Sequence, residues 1–159
     1  MNELDFTSRR VLVVGGTSGI GNGIAQAFRY RGAVVHVWGT RAQVEDYSPA
    51  EGSDLTGLHY ARVDVSDSAA VESYQPPFEQ LDVLVLSQGV VLYRRGEFQT
   101  AGFRRVLDVN LNSLMTCSAK FHDMLQAAGG SLSSSPPRRL FTQRGAIRPT
   151  TLLRQVRWA

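Results

Sequence analysis

The stretch VVGGTSGIG at residues 13–21 decides the fold of this protein. It starts in a short apolar, β-branched run, which is typical of a buried parallel strand. Apolar residues then recur at helical spacing from Ile20 to Phe28. The turn between strand and helix carries Gly15, Gly19 and Gly21. Glycine permits a tight turn and lets a phosphate approach the free amides of the helix start, so the stretch predicts a diphosphate-binding turn. A glycine turn without a ligand is the alternative.

Short apolar runs and helical patterns alternate along the first 130 residues. The apolar runs predict strands within 9–16, 33–39, 58–65 and 81–89. The longest helical pattern extends from Thr100 to about Ala128 and ends at a Gly-Gly pair. Strands alternating with helices indicate an α/β fold whose parallel strands are joined by right-handed crossovers. We predict a truncated sheet of about four parallel strands in a domain at 1–132, followed by an irregular tail at 133–159.

Composition separates the tail from the domain. The chain has 159 residues, 43% of them hydrophobic and 19% charged, as in a soluble globular protein. Residues 1–132 carry 11 Lys and Arg against 14 Asp and Glu, whereas residues 133–159 carry six Arg and no acid. Such a patch attracts nucleic acid without sequence preference. The arginines show no helical register, however, so nucleic acid is not the predicted partner.

Several classes of protein are excluded by what the sequence lacks. One cysteine, Cys117, excludes an intrachain disulfide, and the three histidines are not spaced like metal ligands, so no metal is predicted. No run approaches the roughly 20 apolar residues of a membrane span. The amino terminus is not a secretory signal. We therefore predict a cytoplasmic protein.

Four motifs together carry a family resemblance. They are the Gly-x-x-x-Gly-x-Gly spacing, RVDVSD at 62–67, VLVLSQGV at 83–90 and LDVNLNS at 107–113. In order and spacing they resemble the short-chain dehydrogenase/reductase family from residue 8 to about 132. The resemblance implies a doubly wound Rossmann-like sheet, a bound NAD or NADP, and hydride transfer between nicotinamide and a small alcohol or carbonyl compound. It also implies a homo-oligomer, although this chain need not form one.

The resemblance further implies which residues form the site. Those expected at the cofactor are Gly15, Thr17, Ser18, Gly19, Ile20, Gly21, Arg41, Asp64, Val65 and Gly89. Asn110 matches the catalytic asparagine of the family. Two alternatives stay open: Asp64 could cap the following turn, and Asn110 could be an ordinary polar helix residue. Val14 replaces a usual threonine, and only Gly89 remains of the Asn-Asn-Ala-Gly segment.

The segment VHVWGTR at 35–41 bears on the choice of cofactor. NAD-binding domains place an acidic residue after the second strand, where it holds the ribose hydroxyls. Here Gly39 and Thr40 occupy that region and Arg41 follows. Because a guanidinium pairs with a phosphate in a bidentate fork, the segment favours NADP over NAD. The alternative is that Arg41 is a solvated loop residue.

The family's acid/base pair is missing from the tail. The resemblance implies a Tyr-x-x-x-Lys segment after a fifth strand, and a serine that polarises the substrate oxygen. The chain has no lysine after Lys120 and no tyrosine after Tyr93. The segment SLSSSPPRRL at 131–140 contains two prolines, which are unsuited to a central strand. We therefore expect an inactive oxidoreductase whose truncated sheet exposes apolar faces, or a non-catalytic module that binds NADP.

A change of reading frame explains the missing pair. If the codons after Leu132 are regrouped by one base, residues 146–159 can be spelled GNPAYNASKAGAVG, which contains Tyr-x-x-x-Lys. Residues 133–137 can be spelled IIVSS, an apolar strand that ends in two serines. One shift thus restores the strand, serine, tyrosine and lysine together. We hypothesise a one-base frameshift near codons 130–133.

Overall fold

The computed structural model describes residues 5–135 and 155–157. Its strands are β1 (Arg10–Val14), β2 (Val34–Gly39), β3 (His59–Arg62), β4 (Val83–Leu86), β5 (Ser131–Ser134) and β6 (Gln155–Arg157). Its α-helices are α1 (Gly19–Arg29), α2 (Ser68–Ser73), α3 (Thr100–Leu107) and α4 (Ser113–Ala128). A π-helical turn at Asp108–Asn112 joins α3 to α4. Short 3₁₀ turns lie at Val44–Asp46, Pro49–Glu51 and Gly96–Phe98.

The strands form one sheet in the order β3-β2-β1-β4-β5-β6. The pairs from β3 through β5 are parallel, and β6 pairs antiparallel with β5. The chain runs outward from β1 to β3, then crosses β1 to form β4 on its other side. This order is that of a doubly wound sheet. The predicted α/β fold class is confirmed.

The count of about four parallel strands was too low, because β5 forms before the prolines. Its four residues, Ser131–Ser134, directly follow the glycines that end α4. The Ser131 amide donates to the Asp82 carbonyl, and the Ser135 amide to the Leu86 carbonyl, both at 2.9 Å. Strand β5 therefore crosses the predicted boundary at residue 132, and β6 lies in the segment predicted to be irregular. Residues 136–154 lie outside the described residues.

Both faces of the sheet are covered by helices. Residues 11–14 of β1 have no exposed surface, which accounts for a run that is apolar at every position. One face packs against α2 and α4, with a core that includes Leu12, Val14, Trp38, Val71, Leu84 and Phe121. The other face packs against α1, with a core that includes Val11, Val13, Ala25, Val35, Val37 and Val85. This burial fixes the carboxyl ends of the central strands relative to one another.

The long helix predicted from Thr100 to Ala128 is interrupted at Asp108–Asn112. In a π-helical turn each hydrogen bond spans one more residue than in an α-helix, so the buried stripe changes phase there. Among residues that would share one face of a single α-helix, Phe121 and Leu125 are buried, but Phe103 and Leu111 are more than half exposed. A single 3.6-residue period could not anticipate this change of face.

His36 gives the fold a defined sensitivity to acid. Its ring stacks on His59 of the neighbouring strand, with the centroids 4.8 Å apart, and also contacts Phe78. Burial, assisted by the charges of His59 and Arg10, lowers the pKa of His36 from 6.5 to about 4. Because the folded pKa lies below the unfolded one, protonation favours unfolding. The stabilisation is complete above pH 6.5 and is lost as the pH falls toward 4.

We therefore expect the free energy of unfolding in urea to fall between pH 6.5 and 4. The carboxylates of Asp54 and Asp64, whose pKa values are held low by hydrogen bonds from Thr56 and Ser66, lose their contribution only below pH 3.8. His36→Leu should reduce the loss of unfolding free energy between pH 6.5 and 4. A slope unchanged by His36→Leu would contradict this assignment.

Candidate functional site

A cavity of about 380 Å³ opens at the carboxyl ends of the parallel strands. It lies around the end of β1, between β2 and β4, where the chain changes direction across the sheet. Ligands of open α/β sheets bind at such a switch point, outside the carboxyl ends of the strands. The fold therefore places a ligand-sized space where the sequence motifs meet.

The structure brings eight of the ten predicted cofactor residues together at this cavity. Its lining includes Gly15, Thr17, Ser18, Ile20, Gly21, Asp64, Val65 and Gly89. Gly19 lies in the same turn, between the lining residues Ser18 and Ile20, but is not itself in the lining. Arg41 is outside the lining, although its neighbour Thr40 belongs to it. The lining also includes Gln88 and Arg105, which the sequence did not single out.

Two of the motif glycines are required by packing within the chain. Gly15 has φ of +74°, and a Cβ atom there would lie 2.8 Å from the backbone N and Cα of Gln88. A Cβ atom on Gly21 would meet the carbonyl oxygen of Gly15. These glycines let the ends of β1 and β4 approach and let α1 begin directly above the turn. Their role is in the shape of the turn itself.

Gly19 differs because the space beside it is open. It has φ of +54°, and a Cβ atom there would have no heavy atom within 4 Å. Helix α1 starts at this residue, and the Ser18 side chain makes no capping hydrogen bond. The first turn of α1 contains no acidic residue. Amides at a helix start without side-chain caps, next to an open glycine cradle, fit a diphosphate group.

Polar side chains on the buried face of α1 hold the turn in place. Asn22 Nδ2 donates to the carbonyls of Gly16 at 3.2 Å and Asp54 at 2.7 Å, and Asn22 Oδ1 accepts from the Asp54 amide at 3.1 Å. Gln26 Nε2 also donates to the Asp54 carbonyl, at 2.8 Å. Sequence analysis missed both residues. The available signal was two amide side chains spaced i, i+4 on the apolar face of an amphipathic helix.

Asp64 both lines the cavity and organises the turn that follows β3. Its Oδ1 accepts from the Ser66 hydroxyl at 2.7 Å and from the Ser66 amide at 3.0 Å. These two hydrogen bonds hold the pKa of Asp64 below its usual value, so the group is charged at neutral pH. The turn-capping alternative therefore describes a contact that Asp64 makes. It does not remove the carboxylate from the cavity.

Asn110 fixes the loop that follows β4. It lies in the π-helical turn, where Oδ1 accepts from the Val90 amide at 2.8 Å and Nδ2 donates to the Val90 carbonyl at 3.0 Å. Val90 and its neighbour Gly89 both line the cavity. Single π-helical turns are frequent at functional sites. The described geometry gives Asn110 a positioning contact, and its catalytic assignment stays a prediction.

Asn110→Ala should therefore loosen this loop more than it destabilises the protein. Two hydrogen bonds of about 1 kcal/mol each correspond to a roughly tenfold or greater rise in hydrogen exchange at the Val90 amide. The control is Asn112→Ala, which removes an exposed contact to Asp108 and should leave Val90 protected. Unchanged exchange in Asn110→Ala would show that other contacts hold the loop.

Gln88 is buried between the cavity and α4. The single hydroxyl proton of Ser113 is donated to the Val109 carbonyl at 2.6 Å, so Gln88 Nε2 donates to Ser113 Oγ at 2.8 Å. This arrangement leaves Gln88 Oε1 without a hydrogen-bond partner among the described residues. Trp38 also lines the cavity, and its indole Nε1 likewise has no hydrogen-bond partner among the described residues. Position 88 corresponds to the alanine of the Asn-Asn-Ala-Gly segment that VLVLSQGV replaces.

Two features are absent from residues 5–135 and 155–157. None of the helices in these ranges has the length and apolar character needed to cross a membrane. No group of three or more His, Cys, Asp or Glu side chains in the same ranges is arranged to hold a metal ion.

Residues 9–132 match the family model described as short chain dehydrogenase. The 3-oxoacyl-[acyl-carrier-protein] reductase FabG of Chlamydia muridarum is 34% identical over 143 residues, covering 83% of this chain and 56% of the relative. A 2-dehydro-3-deoxy-L-rhamnonate dehydrogenase (NAD(+)) of Sphingomonas sp. is 30% identical, covering 71% of this chain and 47% of the relative. The chain thus spans about half the length of the curated relatives it matches.

Solved structures agree with the architecture. Levodione reductase superimposes with a TM-score of 0.67 at 26% identity, covering 81% of this chain and 54% of that chain. The Pseudomonas aeruginosa RhlG/NADP active-site complex gives a TM-score of 0.66 at 22% identity, covering 82% of this chain and 53% of that chain. At that lower identity the second likeness concerns the fold alone.

Proposed function

Because the chain belongs to the short-chain dehydrogenase family, we propose that its cavity binds a nicotinamide dinucleotide, with NADP preferred over NAD. The observation that carries this proposal is the open cradle at Gly19, at the uncapped start of α1. Members of the family bind such cofactors and act on alcohols or carbonyl compounds. The domain at 1–132, extended through β5, would supply the binding surface.

Residues in and beside the cavity would serve different parts of the dinucleotide. Amides of the turn at 15–21 would hold the diphosphate, while Asp64 and Val65 would contact the adenine. The Arg41 guanidinium would pair with the 2′-phosphate of NADP, which supports the preference. Asn110, through its hydrogen bonds to Val90, would hold the backbone at Gly89 next to the ligand. When bound, the nicotinamide supplies or accepts a hydride.

We further propose that the 159-residue chain binds the cofactor without turnover. The acid/base pair of the family needs a tyrosine with a lysine four residues later, and the printed sequence has none. A one-base frameshift near codons 130–133, which we hypothesise, would account for the missing pair, since the shifted frame permits a Tyr-x-x-x-Lys segment. Independent resequencing of that region tests it, and a confirmed in-frame reading of residues 133–159 would contradict it. We also propose a cytoplasmic setting, which the single cysteine supports because it excludes an intrachain disulfide.

Titration of the purified chain with NADPH and with NADH tests the binding proposal. Trp38 is buried and lines the cavity, so its emission should be quenched on binding. The background Trp158→Phe removes the second tryptophan. We expect saturable binding, tighter for NADPH than for NADH, and no NADPH oxidation with carbonyl compounds that include 3-oxoacyl thioesters. Absence of saturation would refute the binding site, and turnover would refute the inactive state.

A further inference from the structure

Arg41 is anchored by its backbone, and its side chain contacts residues outside the cavity lining. Its amide donates to the Tyr47 hydroxyl at 3.1 Å, and its carbonyl accepts from the Tyr60 hydroxyl. The guanidinium lies over the Tyr47 ring, 4.7 Å from the centroid. Tyr47 is itself buried. The backbone of Arg41 is therefore fixed beside the cavity residue Thr40, and its side chain is exposed.

Glu51 is the acidic group that meets this guanidinium. Nη1 and Nη2 of Arg41 both lie 3.3 Å from Glu51 Oε2, and Nη1 also donates to the Asp46 carbonyl. The turn at Pro49–Glu51 is closed on both sides: the Ser48 hydroxyl accepts from the Ala50 amide, and Gly52 ends it with φ of +72°. The carboxylate is consequently held within reach of Arg41.

The ion pair between Arg41 and Glu51 is exposed to solvent. The side chains of Arg41 and Glu51 are 45% and 60% exposed. Exposed pairs of this kind contribute little to stability and are screened by salt. A 2′-phosphate carries more charge than a carboxylate and presents the same type of oxygen acceptors to a guanidinium. It can therefore take the place of Glu51, but both cannot use the same fork of donors.

We propose that Glu51 competes with the 2′-phosphate of NADP for Arg41 and thereby limits the preference for NADP over NAD. This inference rests on the proposed dinucleotide site. NADP must displace Glu51 and approach its negative charge, whereas NAD lacks the 2′-phosphate and leaves the Arg41–Glu51 pair intact. Glu51 is thus a specificity-determining residue outside the cavity lining.

Dissociation constants of NADPH and NADH for the 159-residue chain and its variants test this inference. We expect Glu51→Gln to tighten NADPH binding about two- to fivefold and to leave NADH binding unchanged, as the loss of one exposed ion pair predicts. Glu45→Gln removes an exposed acid from the neighbouring 3₁₀ turn and controls for net charge. Arg41→Met should weaken NADPH binding, and adding Glu51→Gln to it should change nothing further.

The possible results distinguish a failure of the competition by Glu51 from a failure of the dinucleotide site. NADPH affinity that is unchanged or lower in Glu51→Gln, or that rises equally in Glu45→Gln, would overturn the competition by Glu51 while leaving the dinucleotide site standing. A gain that persists in the Arg41→Met background would also overturn it, because the effect would not act through Arg41. Failure of the parent chain to bind either dinucleotide would overturn the proposed function and this inference together.

Discussion

Gly19→Ala is expected to weaken NADPH binding at least tenfold while the chain stays folded. The left-handed backbone at φ of +54° costs about 1–2 kcal/mol for alanine. No protein atom obstructs the added methyl group, since nothing lies within 4 Å of the Cβ position. In the complex, however, that methyl group occupies the space through which a diphosphate would reach the amides at the start of α1.

Gly129→Ala is the matched control for Gly19→Ala. Gly129 ends α4 with φ of +58° and also has no heavy atom within 4 Å of its Cβ position. Both substitutions therefore impose similar strain, and only one of them stands beside the cavity. Urea unfolding should show comparable losses, while fluorescence titration should show lost affinity in Gly19→Ala alone. Equal NADPH affinities in the two variants would place the diphosphate elsewhere.

Gly15→Ala is expected to destabilise the fold by about 2–5 kcal/mol. Left-handed strain contributes about 1–2 kcal/mol and overpacking about 1–3 kcal/mol. The added methyl group would lie 2.8 Å from the backbone of Gln88, two residues after β4, and this backbone cannot turn aside as a side chain can. Against a total stability of about 5–15 kcal/mol, this is a large fraction.

Gly52→Ala separates strain from overpacking in this experiment. Gly52 has φ of +72°, nearly the value of Gly15, but no heavy atom lies within 4 Å of its Cβ position. Its substitution should therefore cost only the strain of about 1–2 kcal/mol. If Gly15→Ala and Gly52→Ala unfold at the same urea concentration, the close approach of β1 to β4 carries no energetic weight.

Local sequence rules predicted the part of the site that depends on neighbouring residues. The turn at 13–21 could be predicted because the strand, the glycines that the turn requires and the helix all lie within one continuous stretch of sequence. The class of fold followed from the alternation of such units. The assignment of Asp64 to the site came instead from the family resemblance of RVDVSD at 62–67.

Contacts between distant segments escaped those rules. Asn22 acquires its role from Asp54, a residue 32 positions away, and Gln88 acquires its role from Ser113. The strand at Ser131–Ser134 was rejected on the composition of the following prolines, although its pairing with β4 uses only the residues before them. Residue type alone predicts Arg41 at the cofactor, whereas in the structure its side chain pairs with Glu51.

The cavity wall has a consequence for the lifetime of the chain. Its residues come from widely separated segments, near 15–21, 38–40, 63–65, 87–90 and 105–109, so no local fragment retains the complete wall. A ligand that recognises only the assembled wall raises the free energy of global opening by mass action, by about 2.7 kcal/mol at a hundredfold excess over its dissociation constant. The resistance of the chain to proteolysis would then increase with the concentration of NADPH.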